Sequence, residues 1–155
     1  MNLGTILSQK SIFLDFVADG KDQALRELCA LAAEVLGLGL DPIYSAILSR
    51  ESLGSTALGS GLVLPHGKVE TMETTRLFLA RPSAGTKLDF GAPDGLPARL
   101  IALILSPLNP TPEYLKLLAL LGRLWNSPRN VSLLMGCPDQ KTFYEAFFFL
   151  TGSMD

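Results

Sequence analysis

The chain has 155 residues, 48% apolar and 18% charged, with 13 Lys and Arg against 15 Asp and Glu for a formal charge of −2. That length suits one domain, read as residues 1–155, and the apolar share excludes a disordered chain. The scattered basic residues offer no patch to replace counterions on nucleic acid, and no apolar run reaches the 18 residues of a spanning helix. Neither nucleic-acid binding nor membrane insertion is therefore expected. The first sixteen residues lack the basic-then-apolar order of a secretory signal, so a cytoplasmic location is expected. Cys29 and Cys137 form no CxxC pair, and His66 is the only histidine. Both cysteines are read as small buried apolar residues, and no metal site is expected.

In chain order, Ile12–Phe16 predicts a strand. Lys21-Asp22 opens a helix in which Ala24, Leu28, Leu31 and Val35 share one face, and Gly37-Leu38-Gly39 ends it. Asp41 as N-cap and Pro42 at the first helical position start the next, with Ile43, Ala46 and Ile47 inward. Arg50 and Glu51 sit near its end, and Glu51 is read as pairing with Arg50 on a solvated face. Residues 54–61 read as a loop of small residues. Leu62-Val63-Leu64 predicts a short strand cut off by Pro65-His66-Gly67. Arg76–Ala80 and Arg99–Ser106 predict longer strands, joined through a turn-rich stretch over 88–95. Leu100 to Leu105 is apolar on both faces and belongs at the centre of a sheet.

Past Pro110 and Pro112, Glu113–Asn126 predicts a helix whose leucines at 115, 117, 118, 120, 121 and 124, with Trp125, are read as core. Pro128 and Pro138 introduce two more helices, over 129–136 and 139–150. In the last, Phe147, Phe148 and Phe149 cannot all face one core, because consecutive helical residues point about 100° apart. At least one is expected outside. The sum is a mixed α/β (α+β) layout with helices packed on a sheet.

One stretch carries chemistry: Arg50-Glu51, Gly54-Ser55-Thr56, Gly59-Ser60-Gly61, then Pro65-His66-Gly67-Lys68. A lone histidine is more often structural than functional, and a glycine loop is more often a turn. Together they suit a phosphoryl acceptor. Imidazole is mostly an unprotonated nucleophile at neutral pH. Hydroxyls, loop N–H groups and a permanently charged guanidinium can surround phosphoryl oxygens. Gly67 lets another backbone come close. No GxxxxGK[ST] run is present, so a P-loop nucleotide is not the expected phosphate source.

The run from Ile47 to Glu70, ILSRESLGSTALGSGLVLPHGKVE, resembles the active-site segment of fructose/mannitol-type enzyme IIA domains of the bacterial phosphotransferase system, most of all the nitrogen-regulatory branch. The resemblance implies a three-layer α/β/α fold with a mixed sheet and no metal or organic cofactor. It implies that His66 takes a phosphoryl group, on Nε2, from the phosphohistidine of the carrier protein HPr or its nitrogen-branch counterpart. Arg50 matches the family arginine beside that group, Ser55, Thr56 and the loop backbone would line the pocket, and Gly67 and Tyr114 would join them in binding the phosphoryl group. Where the family carries a second histidine in a His-Leu pattern, this chain has Tyr114-Leu115. Tyrosine offers a hydrogen bond without positive charge at neutral pH, and Lys68 or Lys116 are candidates to supply the charge.

Three readings follow. The first is a phosphoryl carrier whose state regulates partner proteins such as kinases and transporters. The second is a non-catalytic interaction module with a degenerate site. The third is the IIA subunit of a sugar transporter that passes the group to a IIB domain.

Overall fold

The computed structural model describes residues 1–109 and 111–152. Pro110 therefore lies outside the described residues. The elements run α1 (Leu3–Ile6), β1 (Ile12–Phe16), α2 (Lys21–Leu36), α3 (Leu40–Glu51), β2 (Ala57–Gly59), β3 (Leu62–Val63), β4 (His66–Lys68), β5 (Arg76–Pro82), β6 (Leu100–Ser106), α4 (Pro112–Trp125), α5 (Pro128–Met135) and α6 (Gln140–Gly152), with a 3-10 turn at Gln9–Ser11. The strands form one mixed sheet in the order β1-β5-β6-β3-β2, and β4 also pairs with β6. The β1–β5, β3–β6 and β4–β6 pairs are parallel, whereas β5–β6 and β2–β3 are antiparallel.

Side-chain alternation along the two long strands builds the layers. Phe78 and Ala80 of β5, with Ile101, Leu103 and Leu105 of β6, pack with Ala24, Leu25 and Leu28 of α2 and Ile43 and Ile47 of α3. Leu77, Leu79, Leu100, Ala102 and Ile104 face the other way, onto α1, α4, α5 and α6. Every residue of β6 is buried, as a strand covered on both faces requires. The expected three-layer α/β/α fold is borne out. Cys29 and Cys137 are both unpaired and buried, and burial pushes the Cys29 thiol up to about 12.

Several local expectations need correction. Helix α3 starts at Leu40 with Gly39 in the N-cap position, so Asp41 lies in the first turn and makes no side-chain cap. Pro42 costs no hydrogen bond there, because the first-turn N–H groups have no helical partner anyway. The loop read over residues 54–61 contains β2, which pairs Ala57 with Val63 and Gly59 with Leu62. Ser60 and Gly61 close this hairpin at φ 55° and 87°, the left-handed pair that suits strand twist. Asp94 accepts the Ser60 N–H at 2.7 Å, and the Trp125 indole donates to the Ser60 carbonyl at 2.9 Å.

The strand over Leu62 and Val63 does stop before Pro65, as expected, but His66 and Gly67 then open a further strand, β4. Val63 faces Ile101 and His66 faces Ile104, so pairing resumes in the same register beyond it. Proline removes one donor from the ladder without unseating the chain, and its carbonyl still accepts the Ile104 N–H at 2.9 Å. Of the α4 leucines, Leu117, Leu120, Leu121 and Leu124 are core with Trp125; Leu118 is half-buried and Leu115 is 65% exposed. In α6, Phe147 is buried, Phe148 is partly covered and Phe149 is 80% exposed, as the helical spacing demands.

Candidate functional site

His66, Gly67 and Lys68 form β4, the strand that pairs with the C-terminal half of β6. Alternation sends the His66 and Lys68 side chains to one side and leaves Gly67 facing α3. A Cβ on Gly67 would lie 3.2 Å from the Ala46 backbone carbon, the Ala46 Cβ and the Ile47 Cδ1. Glycine is thus the residue that lets β4 approach α3, and this approach brings the end of α3 within reach of the histidine.

Both ring nitrogens of His66 have partners. Nδ1 lies 2.7 Å from the Leu64 carbonyl oxygen, and Nε2 lies 3.2 Å from Arg50 Nε. A carbonyl accepts only and a guanidinium donates only, so Nδ1 carries the proton and Nε2 presents its lone pair. Arg50 Nη1 also donates to the Gly54 carbonyl at 2.9 Å. Its planar fork is thereby held by two acceptors, one on the ring and one on the loop after α3.

Arg50 and His66 border two adjoining clefts. The larger, about 570 Å³, is lined also by Ala46, Ser49, Leu53, Gly67, Lys68 and Tyr114. The smaller, about 250 Å³, adds Ser55, Thr56, Leu58, Leu64 and Leu118. The Tyr114 ring lies 5.8 Å from the imidazole, centroid to centroid, at a tilt of 59°. Burial raises the Tyr114 phenol above its ordinary value, opposed by the charge of Arg50, so near pH 7 it is a neutral donor. Lys68 lines the larger cleft, whereas Lys116 is exposed and lines neither.

Ser55 and Thr56 do line a cleft beside His66, but their hydroxyl protons are committed. Ser55 Oγ donates to the Phe90 carbonyl and Thr56 Oγ1 to Glu51 Oε1. Glu51 itself corrects an expectation. It is 8% exposed rather than solvated, and its partner is not Arg50 but Lys21, with Nζ at 2.9 Å from Oε2. Consecutive helical residues diverge by about 100°, which turns Glu51 into the core while Arg50 reaches the cleft. Sequence reading missed Lys21, Ser49 and the Leu64 carbonyl. No spacing ties Lys21 to Glu51, and a main-chain acceptor leaves no residue-type signal. Among the described residues, no group of three or more His, Cys, Asp or Glu is placed to hold a metal ion, and no helix is long and apolar enough to cross a membrane.

Residues 5–148 match the family described as "Phosphoenolpyruvate-dependent sugar phosphotransferase system, EIIA 2". The nitrogen regulatory protein of Bradyrhizobium diazoefficiens is 33% identical over 144 residues, 93% of each chain. Nitrogen regulatory protein IIA-Ntr from Neisseria meningitidis is similar in structure, with a TM-score of 0.86 at 28% identity, over 94% of this chain and 98% of that one. The IIA mannitol structure from Escherichia coli gives 0.75 at 22% identity, over 91% and 98%, a likeness of fold.

Proposed function

Since the chain belongs to the EIIA 2 family of the phosphoenolpyruvate-dependent sugar phosphotransferase system, with nitrogen regulatory proteins among its relatives, we propose that it is a phosphoryl carrier. In this reading His66 accepts a phosphoryl group from the phosphohistidine of an HPr-type protein. Its phosphorylation state then regulates partner proteins such as kinases and transporters, in the cytoplasm. The observation that carries the reading is the fixed tautomer of His66, with Nδ1–H on the Leu64 carbonyl and the Nε2 lone pair facing Arg50 between two open clefts.

The chemistry follows from that arrangement. The Nε2 lone pair attacks phosphorus as the P–N bond to the donor histidine breaks and the donor imidazole takes back the electron pair. The proton on Nδ1 stays in place, so His66 becomes a phosphorylated imidazolium whose positive charge the Leu64 carbonyl stabilises. Arg50 Nε–H turns from the spent lone pair to a phosphoryl oxygen, and its charge offsets the charge on the transferring group. Tyr114 adds a neutral O–H donor from the larger cleft. Gly67 keeps β4 against α3, while Ser55 and Thr56 shape the opposite wall. No cofactor or metal is required.

A second reading rests on Tyr114, a neutral phenol where the resembled family carries histidine. With less positive charge at the site, the domain would serve as an interaction module, or pass the group onward to a IIB domain only slowly. The experiment that separates these is incubation with phosphoenolpyruvate, the first enzyme of the system and an HPr-type protein, read by intact mass at neutral or alkaline pH. A gain of one phosphoryl group that His66→Ala abolishes supports the carrier; no gain, with gain restored by Tyr114→His, supports the module.

A further inference from the structure

Lys21, Glu51 and Thr56 form a polar cluster behind the wall of the smaller cleft, in which Lys21 and Glu51 line neither cleft. Glu51 and Thr56 are 8% and 4% exposed, and the Lys21 side chain is 29% exposed. Glu51 Oε2 faces Lys21 Nζ at 2.9 Å as a Coulomb contact, without the alignment of a hydrogen bond, and Oε1 accepts from the Thr56 hydroxyl. A carboxylate taken out of water is costly unless it is paired, so the cluster is an expensive way to hold an ordinary loop.

The bonds around it lead to both nitrogens of His66. The Thr56 carbonyl accepts the Leu64 N–H at 3.1 Å, and the Leu64 carbonyl faces His66 Nδ1 at 2.7 Å. On the other side, the Glu51 carbonyl accepts the Gly54 N–H at 3.1 Å, the Gly54 carbonyl accepts Arg50 Nη1 at 2.9 Å, and Arg50 Nε donates to His66 Nε2. One residue thus anchors both arms, one through its side chain and one through its main chain.

We propose that Glu51, held by Lys21, is a positioning residue that clamps the 52–56 loop through Thr56, so that Leu64 and Arg50 meet His66 with one acceptor and one donor. The clamp selects the tautomer and the ring orientation that leave Nε2 nucleophilic. This deepens the phosphoryl-carrier reading and rests on it only for the rate measurement. The tautomer is a property of the unphosphorylated protein.

The test compares Thr56→Val, which removes the hydroxyl at nearly constant shape, with Thr56→Ser, which restores it. Imidazole ¹⁵N shifts of His66 are read at about pH 8, where an imidazole is largely neutral. Wild type and Thr56→Ser should show the Nδ1–H tautomer, and Thr56→Val a mixture with Nε2–H. The phosphorylation rate should fall by roughly 10- to 100-fold in Thr56→Val and recover in Thr56→Ser, since small misplacements of a reacting group cost that much. A Thr56→Val protein with an unchanged tautomer overturns the proposal whatever its rate. If wild type takes no phosphoryl group, the carrier reading fails while the ¹⁵N comparison still decides the clamp. Should Thr56→Val not fold, Thr56→Ala, which likewise removes the hydroxyl that Glu51 accepts, is read the same way, against Thr56→Ser as the conservative control.

Discussion

Replacing Arg50 by lysine separates charge from geometry at the site. Arg50 uses two of its nitrogens on two acceptors, Nε on His66 Nε2 at 3.2 Å and Nη1 on the Gly54 carbonyl at 2.9 Å. A lysine keeps the positive charge, which at about 4 Å and an effective dielectric near 20 is worth about 4 kcal/mol to a phosphoryl oxygen. It carries one ammonium on a flexible stem and cannot hold the loop carbonyl and point a fixed donor at the reacting atom together. Loss of one preorganised donor at a developing charge costs about 10²–10³ in rate, or about 2.7–4 kcal/mol. With charge retained, Arg50→Lys should sit near the lower end, at about 10²-fold, and Arg50→Gln near the upper. Both should fold with stability within about 1 kcal/mol of wild type, because the side chain is partly exposed and packs into no core. Rapid-quench transfer from a phosphorylated HPr-type donor, at several donor concentrations, gives kcat and KM separately. The reasoning places the loss in kcat. A lysine variant within about threefold of wild type would show that charge alone suffices and that the fork geometry is not used.

Gly61→Ala tests the hairpin beside the site. Its φ of 87° disfavours an L side chain, and the new Cβ would meet Arg99 Cγ at 2.6 Å and Arg99 Cβ at 2.8 Å. Left-handed strain of about 1–2 kcal/mol and overpacking of about 1–3 kcal/mol predict about 2–5 kcal/mol in urea denaturation, and a cost below about 1 kcal/mol would contradict it. Tyr114→Phe should slow transfer roughly three- to tenfold through loss of one hydrogen bond. Since burial holds the phenol protonated past its ordinary value, the rate ratio of Tyr114→Phe to wild type should stay flat from about pH 7 to pH 9.5, and a ratio that changes across that range would contradict it. Cys29 titrates at about 12 in the folded chain against 9.0 ordinarily. The folded state therefore holds this proton more tightly, so stability is fully present below pH 9 and falls as pH rises from 9 toward 12, by about 1.4 kcal/mol per unit. Urea midpoints at pH 8 and about pH 10.5 should converge in Cys29→Ala, and equal slopes in the two proteins would refute this.

What was legible in the sequence was what repeats or stands alone by residue type. The unbroken run from Leu100 to Leu105 marks a strand buried on both faces, and it is the centre of the sheet. Leu117, Leu120, Leu121 and Leu124 mark the inner face of α4 by their spacing. His66 and Arg50 were found because one is a lone nucleophile after proline and the other a cation beside a glycine loop. Strands of two or three residues such as β2 and β4 carry too little periodicity, and their existence depends on pairing, β2 with β3 and β4 with β6. The break at Pro65 is legible because a proline's missing donor is visible in the sequence, whereas the partner strand β6, against which pairing resumes at His66, is not. Glu51 was misread for a related reason: its neighbour in sequence is Arg50, but its neighbour in space is Lys21, brought in from the start of α2. The tautomer of His66 depends on a main-chain oxygen, to which residue identity gives no clue.

The most direct test of the central claim is the intact mass of this protein after incubation with phosphoenolpyruvate, the first enzyme of the system and an HPr-type carrier, kept at neutral or alkaline pH because phosphohistidine is acid-labile. The account predicts a stoichiometric gain of one phosphoryl group in wild type, carried on His66 Nε2, and none in His66→Ala. A gain that persists in His66→Ala, or no gain in wild type whether or not Tyr114→His restores it, would contradict it.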